Sequence, residues 1–205
     1  MKVISLTLLR VFLLIAFFFS NTEITHAQNL PPLSSIVLTP EVIAANNIRD
    51  LGYFTNTTET LWIVDRSEEL IGHCPVDCVK QVWYVPVRSY WPDGYRKLTV
   101  TLIRTPTPEQ AQQGVQSLYQ LFTNQKDPEF IDHTDDFNKM IRDNTLTDTW
   151  ALYNHTFTIS ASYNSVIILL SMKMRGFHDI DDFGEISALM DFARLQVSIL
   201  KNAGY

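Results

Sequence analysis

The tripeptide Tyr163-Asn164-Ser165 joins two runs with strand chemistry, Phe157–Tyr163 and Val166–Met174. A connection this short leaves no room for a crossover, so the second run returns antiparallel to the first. Val166-Ile167-Ile168-Leu169-Leu170 is apolar at every position, and successive strand side chains point to opposite faces. A strand that is apolar on both faces is covered from two sides. The chain is thus constrained to an antiparallel sheet with this strand near its centre.

The remaining elements follow from local signals. Residues 28–40 read as an extended lead-in stiffened by Pro31 and Pro32. Thr39 caps a short helix with Pro40 at its first position, Val42, Ile43, Ile48 and Leu51 on one face, and Gly52 at its end. Strands are predicted over Leu61–Val64, Val79–Tyr90 and Tyr95–Thr105. Thr107, Pro108 and Gln110 form a capping box for a helix whose stripe is Ala111, Val115, Leu118 and Phe122. A shorter helix over Asp135–Asp143, capped by Thr134, precedes a strand at Trp150–Tyr153. The last helix runs from Phe183 to Asn202, with Ile186, Leu189, Met190, Ala193, Val197 and Leu200 inward and Gly204 as its C-cap. The predicted class is α+β: a mainly antiparallel sheet from two β-β-β-α halves, with two long helices packed on it. No residue-level repeat accompanies the two halves.

Export is the second strong expectation. Lys2 and Arg10 precede the apolar run Val11–Phe19, and Thr25-His26-Ala27 presents small residues where a signal peptidase cuts. Nine apolar residues are about half of the ~20 that span a bilayer. Residues 1–27 are therefore read as a signal peptide, 28–40 as the lead-in and 41–205 as one α+β domain, secreted or periplasmic. The alternative for residues 1–27 is an uncleaved anchor. No later stretch is long enough to cross a membrane. Removal of Lys2, Arg10 and Glu23 with the leader leaves 14 basic and 21 acidic residues, a net charge of −7. That balance disfavours nucleic acid and anionic lipid as partners.

Two cysteines, Cys74 and Cys78, sit in His73-Cys74-Pro75-Val76-Asp77-Cys78. In an oxidising compartment a close pair reads as a local disulfide. The C-x-x-x-C spacing does not match a redox C-x-x-C, and a zinc site through His73 lacks a fourth ligand.

Residues 83–95, WYVPVRSYWPDGY, hold five aromatic rings in thirteen positions. Trp91-Pro92-Asp93-Gly94 carries the residues of a tight hairpin turn, so Trp91 is predicted to face Tyr95. That register puts Val87 near Thr99, Val85 near Thr101 and Trp83 near Ile103. Trp83, Trp91 and Tyr95 then share a partly solvent-facing side. Cross-strand aromatic pairs stabilise hairpins, which is the structural reading. The functional reading is a platform of Trp91, Tyr95, Tyr90 and Arg88, with Trp83 beside it, for a sugar, peptide or partner protein. Pro86 cannot donate to a ladder and marks a bulge, an edge or a slipped register.

Catalytic and cofactor motifs are missing. Asp179, Asp181 and Gly184 fit a calcium loop, but Phe183 and Met190 stand where oxygen ligands belong. No G-x-S-x-G, H-E-x-x-H or phosphate-cradling glycine loop occurs, and His73, His133, His155 and His178 are scattered. No catalytic residue, metal or cofactor is assigned. Asn56 and Asn154 match the N-glycosylation pattern, relevant only in a glycosylating host. The expected function is a non-enzymatic binding module for a partner protein or small ligand. A secreted hydrolase with a non-motif site and an envelope accessory protein are the alternatives.

Overall fold

The computed structural model describes residues 30–46, 63–69, 77–86, 95–124, 131–132, 134–135, 138, 146–153, 156–175 and 182–205. Among the described residues seven strands form one sheet: β1 (Ile63–Glu69), β2 (Asp77–Pro86), β3 (Tyr95–Arg104), β4 (Ile131–Asp132), β5 (Thr147–Tyr153), β6 (Phe157–Tyr163) and β7 (Val166–Arg175). Their order is β1-β2-β3-β7-β6-β5-β4, and every neighbouring pair is antiparallel. Among the described residues the α-helices include α1 (Pro40–Ala45), α2 (Pro108–Thr123) and α3 (Asp182–Asn202), and Leu33–Ser35 form a 3-10 turn. The fold is an α+β arrangement around an antiparallel sheet.

The chain builds the sheet from both edges inward, so β3 and β7 meet near its middle. The β6–β7 hairpin pairs Tyr163 with Val166 across a two-residue turn. Asn164 takes a φ of 47° there, a left-handed conformation that asparagine tolerates better than most residues. Ile168, Leu170 and Met172 lie beside Leu102, Val100 and Leu98 on one face, while Ile167 lies beside Ile103 on the other. All of these residues are buried.

Two apolar clusters result. The larger joins Leu98, Val100, Leu102, Phe157, Ile159, Ile168 and Leu170 to Leu189, Met190, Phe192, Ala193 and Leu200 of α3. The smaller gathers Cys78, Ile103, Ile167 and Trp150 with Ala111, Val115 and Leu118 of α2. Trp150 donates its indole N–H to the Val115 carbonyl at 2.9 Å, which satisfies a buried donor and fixes α2 against β5. The Phe122 and Tyr119 rings stand 5.4 and 6.1 Å from that indole. Gly114 permits the close approach, because a Cβ there would lie 2.5 Å from Ile167 Cδ1.

Local capping explains where the helices begin and end. Thr-Pro-Glu occurs at 39–41 and again at 107–109, at the start of α1 and of α2. Thr39 Oγ1 accepts the Val42 N–H and Thr107 Oγ1 accepts the Gln110 N–H, each at 3.3 Å. At the end of α3, Gly204 has a φ of 89°. Its N–H reaches the Lys201 carbonyl while the Tyr205 N–H reaches that of Leu200, the bond pair of a Schellman cap.

Residues 30–39 run as a strap over the face that holds the larger cluster, with Leu33 and Leu38 buried. The Gln81 side chain, also buried, accepts the Leu38 N–H at 3.1 Å and donates to the Leu38 carbonyl at 2.9 Å. Asp77 accepts the Leu33 N–H at 2.7 Å, and Gln196 donates to the Ile36 carbonyl at 3.2 Å. Arg104 and the Tyr205 hydroxyl both donate to the Pro31 carbonyl. The Arg104 guanidinium pairs with Asp77 at 3.4 Å and stands 4.8 Å over the Tyr205 ring. Burial lowers the Arg104 pKa, and Asp77 opposes that shift.

The β2–β3 register corrects the sequence reading. Thr99, Thr101 and Ile103 stand opposite Val82, Lys80 and Cys78, and Tyr95 stands opposite Pro86. The pairing is five residues away from the predicted one, an odd slip that exchanges the two faces of β2. The last described pair of this ladder is Pro86–Tyr95, and Pro86 has no N–H to donate there. Strand limits shift as well. β1 continues through Asp65-Arg66-Ser67-Glu68-Glu69, polar chemistry that suits an edge strand, with an irregularity between Val64 and Arg66. β4 was not anticipated. The Thr134 hydroxyl accepts the Ala151 N–H, and Asp132 accepts the Thr134 N–H at 2.9 Å. Thr134 is thereby tied to β5. The leader 1–27, Ile48, Leu51, Gly52 and most of 135–143 lie outside the described residues.

Candidate functional site

β2 and β3 are held against one another over their full described length, and they carry the aromatic stretch between them. Trp83 pairs with Leu98, is 0% exposed and belongs to the larger cluster. It therefore lies in the core and not on a solvent-facing platform. The predicted register had put it beside Ile103 on the opposite face. Tyr95 opens β3, between Pro86 and Arg175 of the flanking strands. Arg88, Tyr90 and Trp91 fall in the eight residues that link Pro86 to Tyr95 and lie outside the described residues. One structural consequence is independent of their geometry: the link starts and ends at one end of the β2–β3 ladder.

Cys78 is buried opposite Ile103 in the smaller cluster. Cys74 lies outside the described residues, as do Asn56, Asn154 and the histidines at 73, 133, 155 and 178. The Asp179–Gly184 stretch is described only from Asp182 onward. Among the described residues no group of three histidine, cysteine, aspartate or glutamate side chains could hold a metal ion. No described helix is long and apolar enough to cross a membrane.

A shallow polar cleft of about 350 Å³ lies between the end of α1 and the outer side of α3, lined by Asn46, Asp191, Arg194, Leu195 and Ser198. Asp191 and Arg194 pair at 3.3 Å within one turn of helix, both substantially exposed. Such a pair in water contributes little energy. The cleft offers hydrogen-bonding groups from Asn46, Asp191, Arg194 and Ser198.

Other polar groups are engaged in structure. Tyr119 donates to Asp132 at 3.0 Å, and that bond raises the tyrosine pKa. Glu41 and Glu109 have carboxyls held below the usual glutamate range, first by their own backbone N–H groups and then by Thr39 and Thr107. Ser160 is fully buried and donates to the Ile168 carbonyl at 3.1 Å, so it is not a poised nucleophile.

Sequence reasoning missed a cross-strand grouping. Lys97 stands between Tyr84 and Lys173, one same-face row away from Tyr95 and Arg175. These cations are far apart in the chain, and no local pattern announces them. Only the pairing of β3 with β7 brings them together. Comparison with known proteins gave no match among family models, curated proteins or solved structures.

Proposed function

We propose that this chain is an exported, non-enzymatic α+β domain, secreted or periplasmic, that binds a ligand or partner through the stretch Arg88–Tyr95. The observation that carries the reading is the β2–β3 register. Its last described pair is Pro86–Tyr95, and the chain between those two residues carries Arg88, Tyr90 and Trp91, which supports reading that stretch as one unit. Tryptophan, tyrosine and arginine are the residue types that dominate binding energy at interfaces. Trp83 has no part in this surface.

Within the same reading, residues 1–27 are a cleaved signal peptide and Cys74 bonds to Cys78. The burial of Cys78 at the first turn of β2 supports a role in pinning that end of the strand. The strand order supports a fold of two β-β-β-α halves, with α2 and α3 covering opposite faces.

The test is a double substitution, Trp91→Ala with Tyr95→Ala, in the mature protein. The labelled protein is read against oligosaccharide and peptide arrays, with far-UV circular dichroism as the folding control. Loss of array signal with an unchanged spectrum supports the reading. Unchanged binding, or unfolding of Trp91→Ala and Tyr95→Ala singly, makes the stretch a structural hairpin and overturns it.

A further inference from the structure

Residues 30–39 are held to the body as a bound peptide is held. The 3-10 turn closes two backbone bonds within the strap, from the Ser35 N–H to the Pro32 carbonyl and from the Ile36 N–H to that of Leu33, at 2.9 and 3.1 Å. The bonds that tie the strap down come from side chains 43 or more positions away, those of Asp77, Gln81, Arg104, Gln196 and Tyr205. Among the described residues no strand pairs with it. Its seat therefore reads main chain through polar side chains, while Leu33, Ile36 and Leu38 fill apolar pockets.

The two glutamines of the seat are used unequally. Gln81 both accepts from and donates to Leu38, at 3.1 and 2.9 Å. Gln196 is 0% exposed and donates to the Ile36 carbonyl at 3.2 Å, but its Oε1 has no hydrogen-bond partner among the described residues. The N–H that would complete a matching pair is that of Ile36, and the 3-10 turn commits it to Leu33. Trp83 follows Gln81 on the same face of β2, and its indole N–H is likewise buried without a partner among the described residues. Residues 36 and 38 stand two apart, the spacing at which an extended chain repeats the direction of its backbone groups. A segment extended through both positions has a free N–H at the first, and Gln196 then reads it as Gln81 reads the second.

We propose that the seat is a docking site for an extended polypeptide segment of another protein, and that the strap occupies it in cis as a displaceable cover. The segment carries apolar side chains at the two positions matching Ile36 and Leu38 and makes no 3-10 turn before them. Its main chain takes the bonds the strap makes and adds the one that Gln196 Oε1 lacks. A second copy of this chain is the poorer occupant, because its strap brings the same Leu33-Ser34-Ser35 turn and repeats the mismatch. The site lies along β2 and α3 and is separate from the stretch Arg88–Tyr95.

The probe is a fluorescent, end-capped decapeptide copying residues 30–39 with Ser34→Val and Ser35→Thr, β-branched residues that favour the extended backbone. The unaltered decapeptide is the comparison, and both are titrated with the mature protein by fluorescence anisotropy. The altered peptide should bind about tenfold more tightly, the effect of one buried acceptor gaining its donor. Gln196→Leu should reduce it to the level of the unaltered peptide. Leu38→Ala in the protein loosens the strap, so a larger fraction of seats is open and the altered peptide should bind at least about tenfold more tightly. Circular dichroism checks that each variant is folded; if Leu38→Ala is not, the two peptides on the parent and on Gln196→Leu decide. Hydrogen exchange should show the strap amides of Leu33 and Leu38 losing protection as peptide is added. The proposal is overturned if neither peptide binds, if both bind equally, or if binding is indifferent to Gln196→Leu or to Leu38→Ala in a folded protein. Self-association of Leu38→Ala in place of peptide binding assigns the seat to a second copy and overturns it too.

Discussion

Replacing Gln81 with methionine tests the strap most directly. Methionine is close to glutamine in length and shape, so the volume change is small. The change removes both hydrogen bonds to Leu38, at 3.1 and 2.9 Å, from a side chain that is only 3% exposed. A buried N–H and a buried C=O are then left without partners, at about 1–3 kcal/mol each. Burial of an apolar side chain in place of the amide offsets about 1 kcal/mol of that loss. The net expectation is about 3 kcal/mol of destabilisation. Local detachment of the strap cannot bypass this cost, because its own Leu33, Ile36 and Leu38 are buried against the sheet. Together they hold it by about 4–9 kcal/mol. Urea unfolding followed by tryptophan fluorescence measures the difference. A thermal scan should show a midpoint lowered by about 10 °C for a chain of this size. Hydrogen exchange should show the Leu38 amide losing protection ahead of the β3 and β7 amides. A Gln81→Met protein within 0.5 kcal/mol of the parent would refute the assignment of these two bonds as structural.

Gly114→Ala should destabilise the parent by about 1–3 kcal/mol through contact with Ile167 Cδ1. In an Ile167→Val background, which removes that carbon, the same change should gain up to about 1 kcal/mol from helix propensity. Equilibrium unfolding of the four proteins reads the sign reversal, and equal effects in both backgrounds would contradict the close approach. Glu41 and Glu109 are depressed in the folded state, so their stabilisation is present above the unfolded pKa of about 4.3 and is lost as pH falls below it. Glu109→Gln should therefore flatten part of the stability loss on acidification; an unchanged pH profile between pH 6 and 3 would count against the cap. Intact-mass analysis of the exported protein should show a chain beginning at Gln28 with neither cysteine open to alkylation. A product retaining Met1, or two alkylated thiols, removes the export and disulfide assignments.

Local signals were legible wherever the physics is local. Thr39 and Thr107 each cap the helix that follows them, and Gly204 carries the left-handed turn that ends α3. The β6–β7 hairpin has the predicted start and turn because a two-residue connection leaves the backbone few alternatives. The β2–β3 hairpin misled for the opposite reason. Trp91-Pro92-Asp93-Gly94 has turn chemistry, yet register also depends on what each face must bury. Placing Trp83, Val79 and Gln81 on the strap face required knowing that residues 30–39 return to cover it. β1 was read too short because its second half is polar, and polarity argues against a strand only when the strand is not at an edge.

The amino-acid order alone determined the α+β class, the helix starts at Thr39 and Thr107, the antiparallel return at Asn164 and the coverage of β7 on both sides. Each of these follows from residues within about one turn or one strand length of one another. Only the tertiary structure decided that β3 and β7 are neighbours, that Trp83 turns inward, and that Lys97 stands beside Lys173. Those outcomes depend on contacts between segments some seventy residues apart, where burial of whole faces sets the register and no local spacing records the result.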